Sequence, residues 1–113
     1  MKTPVRPAMV VPQIDVQEAA RRLKAGEAHL IDVREDNELA LVSIPGAQHL
    51  PMSQIGERAA EVPTDKPVMI ICHHGGRSHA VAQWLQQQDR DASNVGGGID
   101  AWAAQLDPTM ARY

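Results

Sequence analysis

Phenylalanine is missing from this sequence, and its only aromatic residues are Trp84, Trp102 and Tyr113. A core must therefore be assembled from Val, Ile, Leu, Met and Ala. Cysteine occurs once, at Cys72. No internal disulfide can form, so no framework of bridges supports the fold. No secretory signal is expected either: the apolar stretch at residues 8–11 is broken by Pro12, well short of the ~7–15 residues such a signal needs. A lone cysteine without a signal points to a reducing cytoplasm. No apolar run approaches the ~20 residues of a bilayer-crossing helix, so no membrane role is expected. The formal charge of −3 gives no broad basic field, which excludes a nucleic-acid partner of the usual electrostatic kind.

What remains is ordinary for a globular chain. Its 113 residues are 43% apolar and 22% charged, a balance that argues against disorder and fits one compact domain. The expected organisation is an extended lead-in over residues 1–12, a single domain over residues 13–107 and a loose tail over residues 108–113. Strand and helix signals alternate. Asp15 with Glu18 marks a helix start, Val16, Ala19, Ala20 and Leu23 share one face, and Gly26 suits the stop. A strand is expected over residues 29–33, an acid-started helix over 34–41, a turn at Ile44-Pro45-Gly46 and a short strand over 47–50. Ser53 is expected to cap a helix running to Ala60. Residues 68–71 are a continuous apolar run, the mark of a strand buried on both faces. A helix over residues 78–88, a brief strand at Asn94-Val95 and a last helix carrying Ile99, Trp102, Ala103 and Leu106 complete the pattern, with Pro108 ending it. The fold class is α/β, a mostly parallel central sheet flanked by helices. Trp84 and Trp102 read as core.

The chemistry is concentrated where the apolar strand runs into Cys72-His73-His74-Gly75-Gly76-Arg77-Ser78. In α/β sheets ligands bind beyond the carboxyl ends of strands, which is where Cys72 falls. Gly75 and Gly76 permit a tight turn whose backbone N–H groups face inward as an anion nest. The helix start near Ser78 and the Arg77 guanidinium add positive potential, and each of these favours thiolate over thiol. Cys72, His73, His74 and His79 also lie close enough in sequence to suggest a metal, and His74 and His79 have a permitted ligand spacing. No second cysteine exists, and neighbours on a tight loop rarely aim at one ion, so no metal or cofactor is expected. His29 and His49 read as structural.

Cys72-His73-His74-Gly75-Gly76-Arg77-Ser78 matches C-x-x-G-x-R-S, the active loop of the rhodanese superfamily, and the chain resembles a single-domain member. Ile31-Asp32-Val33-Arg34-Glu35 with Glu38, then Ile44-Pro45-Gly46-Ala47, resembles its D-V-R-E…E…H-I-P-G-A segment. Asn94-Val95-Gly96-Gly97-Gly98-Ile99-Asp100-Ala101-Trp102 resembles its closing N-L-x-G-G-I-x-A-W segment. Two departures stand out: Val42-Ser43 where the family usually has Gly-His, and Asp89-Arg90 where it often has Gly-Phe. The second leaves the chain a residue short before Asn94, so a distorted or very short edge strand is expected there.

The resemblance implies a rhodanese-like three-layer domain and a thiosulfate sulfurtransferase. Cys72 would take a sulfane sulfur from a donor such as thiosulfate and pass it, as a persulfide, to cyanide, a thiol or a protein acceptor. Residues His73, His74, Gly75, Gly76 and Arg77 would cradle the persulfide with their backbones, next to Ser78. Arg77 would either attract the donor or pair with a carboxylate. Asp32, Arg34 and Glu38 would support the loop, with an ion pair between Arg34 and Glu38 permitted by their spacing. His73, His74, His79 and Gln83 would form the rim met by an acceptor. Two alternatives stay open: a sulfur carrier or binding module for one partner protein, and a phosphatase of the same fold. Phosphatase loops follow C-x5-R, whereas four residues separate Cys72 from Arg77 here.

Overall fold

The computed structural model describes residues 10–113. Five strands form one sheet in the order β1 (Gln13–Ile14), β5 (Ala92–Val95), β4 (Val68–Ile71), β2 (His29–Asp32), β3 (Gln48–His49), and every pairing is parallel. Four α-helices accompany them: α1 (Val16–Lys24), α2 (Asp36–Leu39), α3 (Gly76–Gln87) and α4 (Gly98–Gln105). Among the described residues, no helix is long and apolar enough to cross a membrane.

β4 is central, and its alternation builds both halves of the core. Val68, Ile70 and Cys72 face one side, packing with Val81, Ala82 and Leu85 of α3. Met69 and Ile71 face the other, with Val16 and Ala19 of α1 and Ile99 and Trp102 of α4. All four residues of β4 are buried, as a strand covered on both faces requires. The result is a three-layer α/β domain with Cys72 at the carboxyl end of its middle strand.

α1 forms as its signals indicate: the Asp15 side chain accepts from the Glu18 N–H at 2.8 Å. Elsewhere the structure corrects the sequence reading. The expected lead-in ends in order, because Val11 is buried and the Pro12 carbonyl accepts from the Asn94 N–H. β1 follows directly; residues 1–9 lie outside the described residues. The helix expected over residues 34–41 is only α2, because the Arg34 N–H turns back to Asp32 and its guanidinium is buried. No α-helix follows Ser53. Its hydroxyl and N–H bind the Glu35 carboxylate, and residues 52–58 make turns that end in a 3-10 turn at Ala59–Glu61. β5 is not a distorted edge strand. It has four buried residues and lies between β1 and β4. Trp102 is core, whereas Trp84 is only partly covered and lines an apolar recess with Met52, Ile55 and Val81. The tail is not loose either: Tyr113 packs onto the loop after β4.

Candidate active site

β4 delivers Cys72 to the mouth of the sheet, where its side chain is 1% exposed. The chain then turns at Gly75, whose φ of +116° suits a residue without a Cβ, and enters α3 at Gly76, two residues earlier than the sequence pattern indicates. This turn brings two backbone donors to the sulfur. The Gly75 N–H donates to Sγ at 3.1 Å and the Ser78 N–H at 3.3 Å, while Ser78 Oγ lies 3.2 Å away. Around Sγ itself the backbone donors are the Gly75 N–H and the Ser78 N–H in the first turn of α3. Two N–H donors and a helix start around one sulfur suit an anionic sulfur species.

The loop is pinned from the opposite side. α4 points its first N–H groups at it: Ile99 donates to the Cys72 carbonyl at 2.8 Å and Asp100 to the His73 carbonyl at 3.1 Å. Gly98 lies so close to these carbonyls that no side chain fits there.

Arg77 is engaged by a carboxylate. Its guanidinium donates to both Glu38 oxygens, at 2.6 and 2.9 Å. Glu38 also accepts from the Tyr113 hydroxyl at 2.7 Å and from the Glu35 N–H at 3.1 Å. Arg77 beside Glu38 holds its carboxyl well below the usual range, down to about 2, against the opposing effect of burial. The same pair raises Arg77. The spacing-based pair between Arg34 and Glu38 does not form. The Arg34 guanidinium instead binds the Asp32 carboxylate at 2.8–3.1 Å, the Val42 carbonyl at 2.8 Å and the Tyr113 hydroxyl at 3.1 Å. Asp32 and Arg34 thus brace the α2 segment that carries Glu38.

The pH dependence of this pair is testable. Glu38 has its ordinary value of 4.5 when unfolded and about 2 when folded. Its contribution is complete above the unfolded value and disappears as pH falls from 4.5 toward 2. Glu38→Gln is expected to lower stability by roughly 1 kcal/mol at neutral pH, a modest figure because half of the pair is solvent-screened. Urea midpoints measured across pH should show the gap to wild type closing below about pH 4.5. A gap unchanged down to pH 2 would show that Glu38 is not held ionised by Arg77.

The histidines divide. His73 stacks between His74 (3.8 Å) and the Tyr113 ring (3.9 Å, 11° apart), and its Nε2 is buried without a hydrogen-bond partner. His74 and His79 are exposed and Gln83 is half-buried. His73, His74 and Asp100 bring candidate ligand atoms within 4.8 Å of one another, contrary to the expectation that loop neighbours diverge. His79 is not in that group, and both Asp100 oxygens are taken by Arg112 at 3.0 and 3.1 Å. His49 binds the Arg34 carbonyl at 2.6 Å and His29 binds Asp65 at 2.8 Å, both structural contacts.

The sequence reading missed three contributors. Tyr113 gives no periodic signal, although it is the only tyrosine. Asn94 and Gly98 sit in the third motif, but their contacts with the loop depend on how β5 and α4 pack.

Residues 15–105 match the family profile of the rhodanese-like domain. The Arabidopsis thaliana Rhodanese-like/PpiC domain-containing protein 12, chloroplastic, is 40% identical over 92 residues, covering 77% of this chain and 31% of that protein. The chain therefore spans under a third of that curated relative. Among solved structures, reduced Bacillus anthracis CoADR-RHD superposes with a TM-score of 0.83 at 33% identity, over 89% of this chain and 18% of that one. SSP1007 from Staphylococcus saprophyticus subsp. saprophyticus superposes with a TM-score of 0.76 at 34% identity, over 90% of this chain and 100% of that one.

Proposed function

The chain belongs to the rhodanese-like domain family, and from that premise we propose that it is a sulfurtransferase carrying a sulfane sulfur as a persulfide on Cys72. One observation carries this reading. The only cysteine ends the central strand with its sulfur held by the Gly75 and Ser78 N–H groups at the head of α3. Those donors are already in place before any charge develops, so stabilising an anionic sulfur needs no reorganisation. The loop is also one residue shorter than C-x5-R, which makes a ring suited to sulfur and cramped for a tetrahedral phosphoryl group.

The thiolate of Cys72 attacks the sulfane sulfur of a thiosulfate-like donor. The new Sγ–S bond forms as the donor's S–S bond breaks, and sulfite leaves with the electron pair. A nucleophilic acceptor, cyanide or a thiol on a small molecule or protein, then attacks the terminal sulfur. The Sγ–S bond breaks and its electron pair returns to Cys72, so no external oxidant or reductant is consumed. Arg77 lends charge to the approach of an anionic donor while its hydrogen bonds stay with Glu38. His74, His79 and Gln83 are the rim an acceptor meets. An unpaired nucleophilic cysteine of this kind suits a reducing compartment such as the cytoplasm.

Intact-mass measurement after exposure to thiosulfate tests the reading. The expected result is a gain of one sulfur atom that cyanide removes. No gain with thiosulfate, a polysulfide or another persulfide donor overturns the proposal. A gain resistant to cyanide and to small thiols, removed only by a protein thiol, replaces the transferase with a dedicated carrier.

A further inference from the structure

Asn94 stands on β5, not on the strand or loop that carries the nucleophile, yet its side chain meets both arms of the cradle. It is 3% exposed, and Ser78 is completely buried. Its amide nitrogen donates to the Gly75 carbonyl at 3.2 Å and to Gln13 Oε1 at 2.9 Å. A backbone carbonyl can only accept, so the Gly75 contact fixes which end of the amide is nitrogen. The amide oxygen therefore faces Ser78 Oγ, at 2.5 Å. That oxygen can only accept, and a hydroxyl has one proton. The Ser78 proton is consequently directed at Asn94, and the Ser78 oxygen presents a lone pair to Cys72 Sγ 3.2 Å away.

We infer that Asn94 is a positioning residue for Cys72, drawing the Ser78 proton away from the sulfur and anchoring the Gly75 carbonyl, one peptide beyond the N–H that faces the sulfur, so that the turn at Gly75 keeps its shape. The inference rests on the proposed use of Cys72 as a nucleophile and adds a reason for its strength. Ser78 as an acceptor pairs well with a thiol but gives nothing to a thiolate. The ionised sulfur then keeps only backbone donors. A less stabilised thiolate is more basic and intrinsically more nucleophilic, with a Brønsted slope of about 0.4–0.5. Asn94 thus limits how far the cradle quenches the sulfur.

The rate of Cys72 alkylation by iodoacetamide against pH reads this directly and requires no sulfur donor. Failure of the wild-type protein to load sulfur would therefore be seen separately. Asn94→Leu has two opposed effects: it frees the Ser78 proton to bind the thiolate, lowering the midpoint, and it releases the Gly75 carbonyl and so loosens the turn that presents the Gly75 N–H, raising it. In a Ser78→Ala background only the second effect exists. The change in midpoint on Asn94→Leu is expected to lie roughly one pH unit lower with Ser78 present than in the Ser78→Ala background, the size of one charged hydrogen bond. The other charges near the sulfur are common to all four proteins and cancel. They are Arg77 of α3, its partner Glu38 of α2, His73 and His74 of the loop, Asp100 of α4, and the Asp32–Arg34 pair at the carboxyl end of β2. Equal changes in the two backgrounds, or a difference of opposite sign, overturn the inference. A purely structural role for Asn94 would loosen the loop equally with or without Ser78. Should Asn94→Leu fail to fold, Asn94→Asp serves: it keeps the acceptor for Ser78, loses the donor to Gly75 and adds negative charge, so the midpoint must rise. An unchanged midpoint in that variant also overturns the inference.

Discussion

Cys72→Ser is expected to abolish sulfur loading while leaving the fold intact. The substitution exchanges one chalcogen for a smaller one in a site already supplied with partners, since the Gly75 and Ser78 N–H groups and the Ser78 hydroxyl all lie within hydrogen-bond reach of position 72. A serine hydroxyl can use the same partners, and the thermal midpoint should move by only a few degrees. Reactivity should not survive. An alcohol is a weak nucleophile unless a neighbouring base takes its proton. The groups bonded to this sulfur are two N–H donors and a hydroxyl whose own proton is committed to Asn94. Among the described residues no base is hydrogen-bonded to it. The rate of sulfur transfer from thiosulfate to cyanide should fall by at least about four orders of magnitude, the scale on which loss of a covalent nucleophile is felt. The intact mass should be unchanged after donor treatment. A sulfur atom gained by Cys72→Ser and removed by cyanide would place the chemistry on another residue. The wild-type chain carries a complementary constraint: it has no second cysteine. A persulfide on Cys72 would find no second cysteine in this sequence to discharge it, and oxidation without an acceptor should give disulfide-linked pairs of chains or over-oxidised Cys72.

Much of this site can be read without coordinates because its elements carry local signals. β4 is legible as four consecutive apolar residues, and the loop as cysteine, two glycines and arginine before a helical face. The capping acid of α1 is equally local. What could not be read depends on contacts between distant segments. β1 has two residues, and its place follows from backbone bonds on either side of it, Asn94 to Pro12 and Gly96 to Ile14. Such bonds leave no side-chain pattern. Ala92 and Ser93 have little intrinsic preference for a strand, and burial between β1 and β4 overrides it. Residues 53–60 have helical spacing, but Ser53 is taken by Glu35, which follows the neighbouring strand β2. The partner of Arg77 was open between substrate and carboxylate until α2 placed Glu38 against it. Tyr113 closes a network with Arg34, Glu38 and His73 that joins residues far apart in sequence.

Gly98→Ala should be the most damaging single substitution of a glycine in this chain. Two independent costs meet at that position. The backbone has φ of +60°, the left-handed region, where a residue with a Cβ is strained by about 1–2 kcal/mol. A Cβ there would also lie 2.5 Å from the Cys72 carbonyl oxygen and collide with the His73 carbonyl. Both neighbours are backbone, so neither can swing aside as a side chain would. They are also the acceptors of the Ile99 and Asp100 N–H groups, which join α4 to the loop. Relief requires α4 and the loop to separate, at a further cost of about 1–3 kcal/mol. The sum, roughly 2–5 kcal/mol, is a large part of a stability that seldom exceeds 15 kcal/mol for a single domain. It should lower the thermal midpoint by more than about 10 °C. Displacement of the Cys72 and His73 peptides also misplaces the sulfur relative to the Gly75 and Ser78 donors. A shift of about 1 Å at a reacting atom can cost two orders of magnitude in rate. Sulfur loading should therefore slow by about 100-fold even in the fraction that stays folded. Gly76→Ala is the matched comparison. A Cβ at Gly76 meets nothing within 4 Å and the backbone is helical, so stability should hold or rise by up to about 1 kcal/mol. If Gly98→Ala melts within a few degrees of wild type and loads sulfur at the same rate, the contact between the head of α4 and the loop does not hold the site in place.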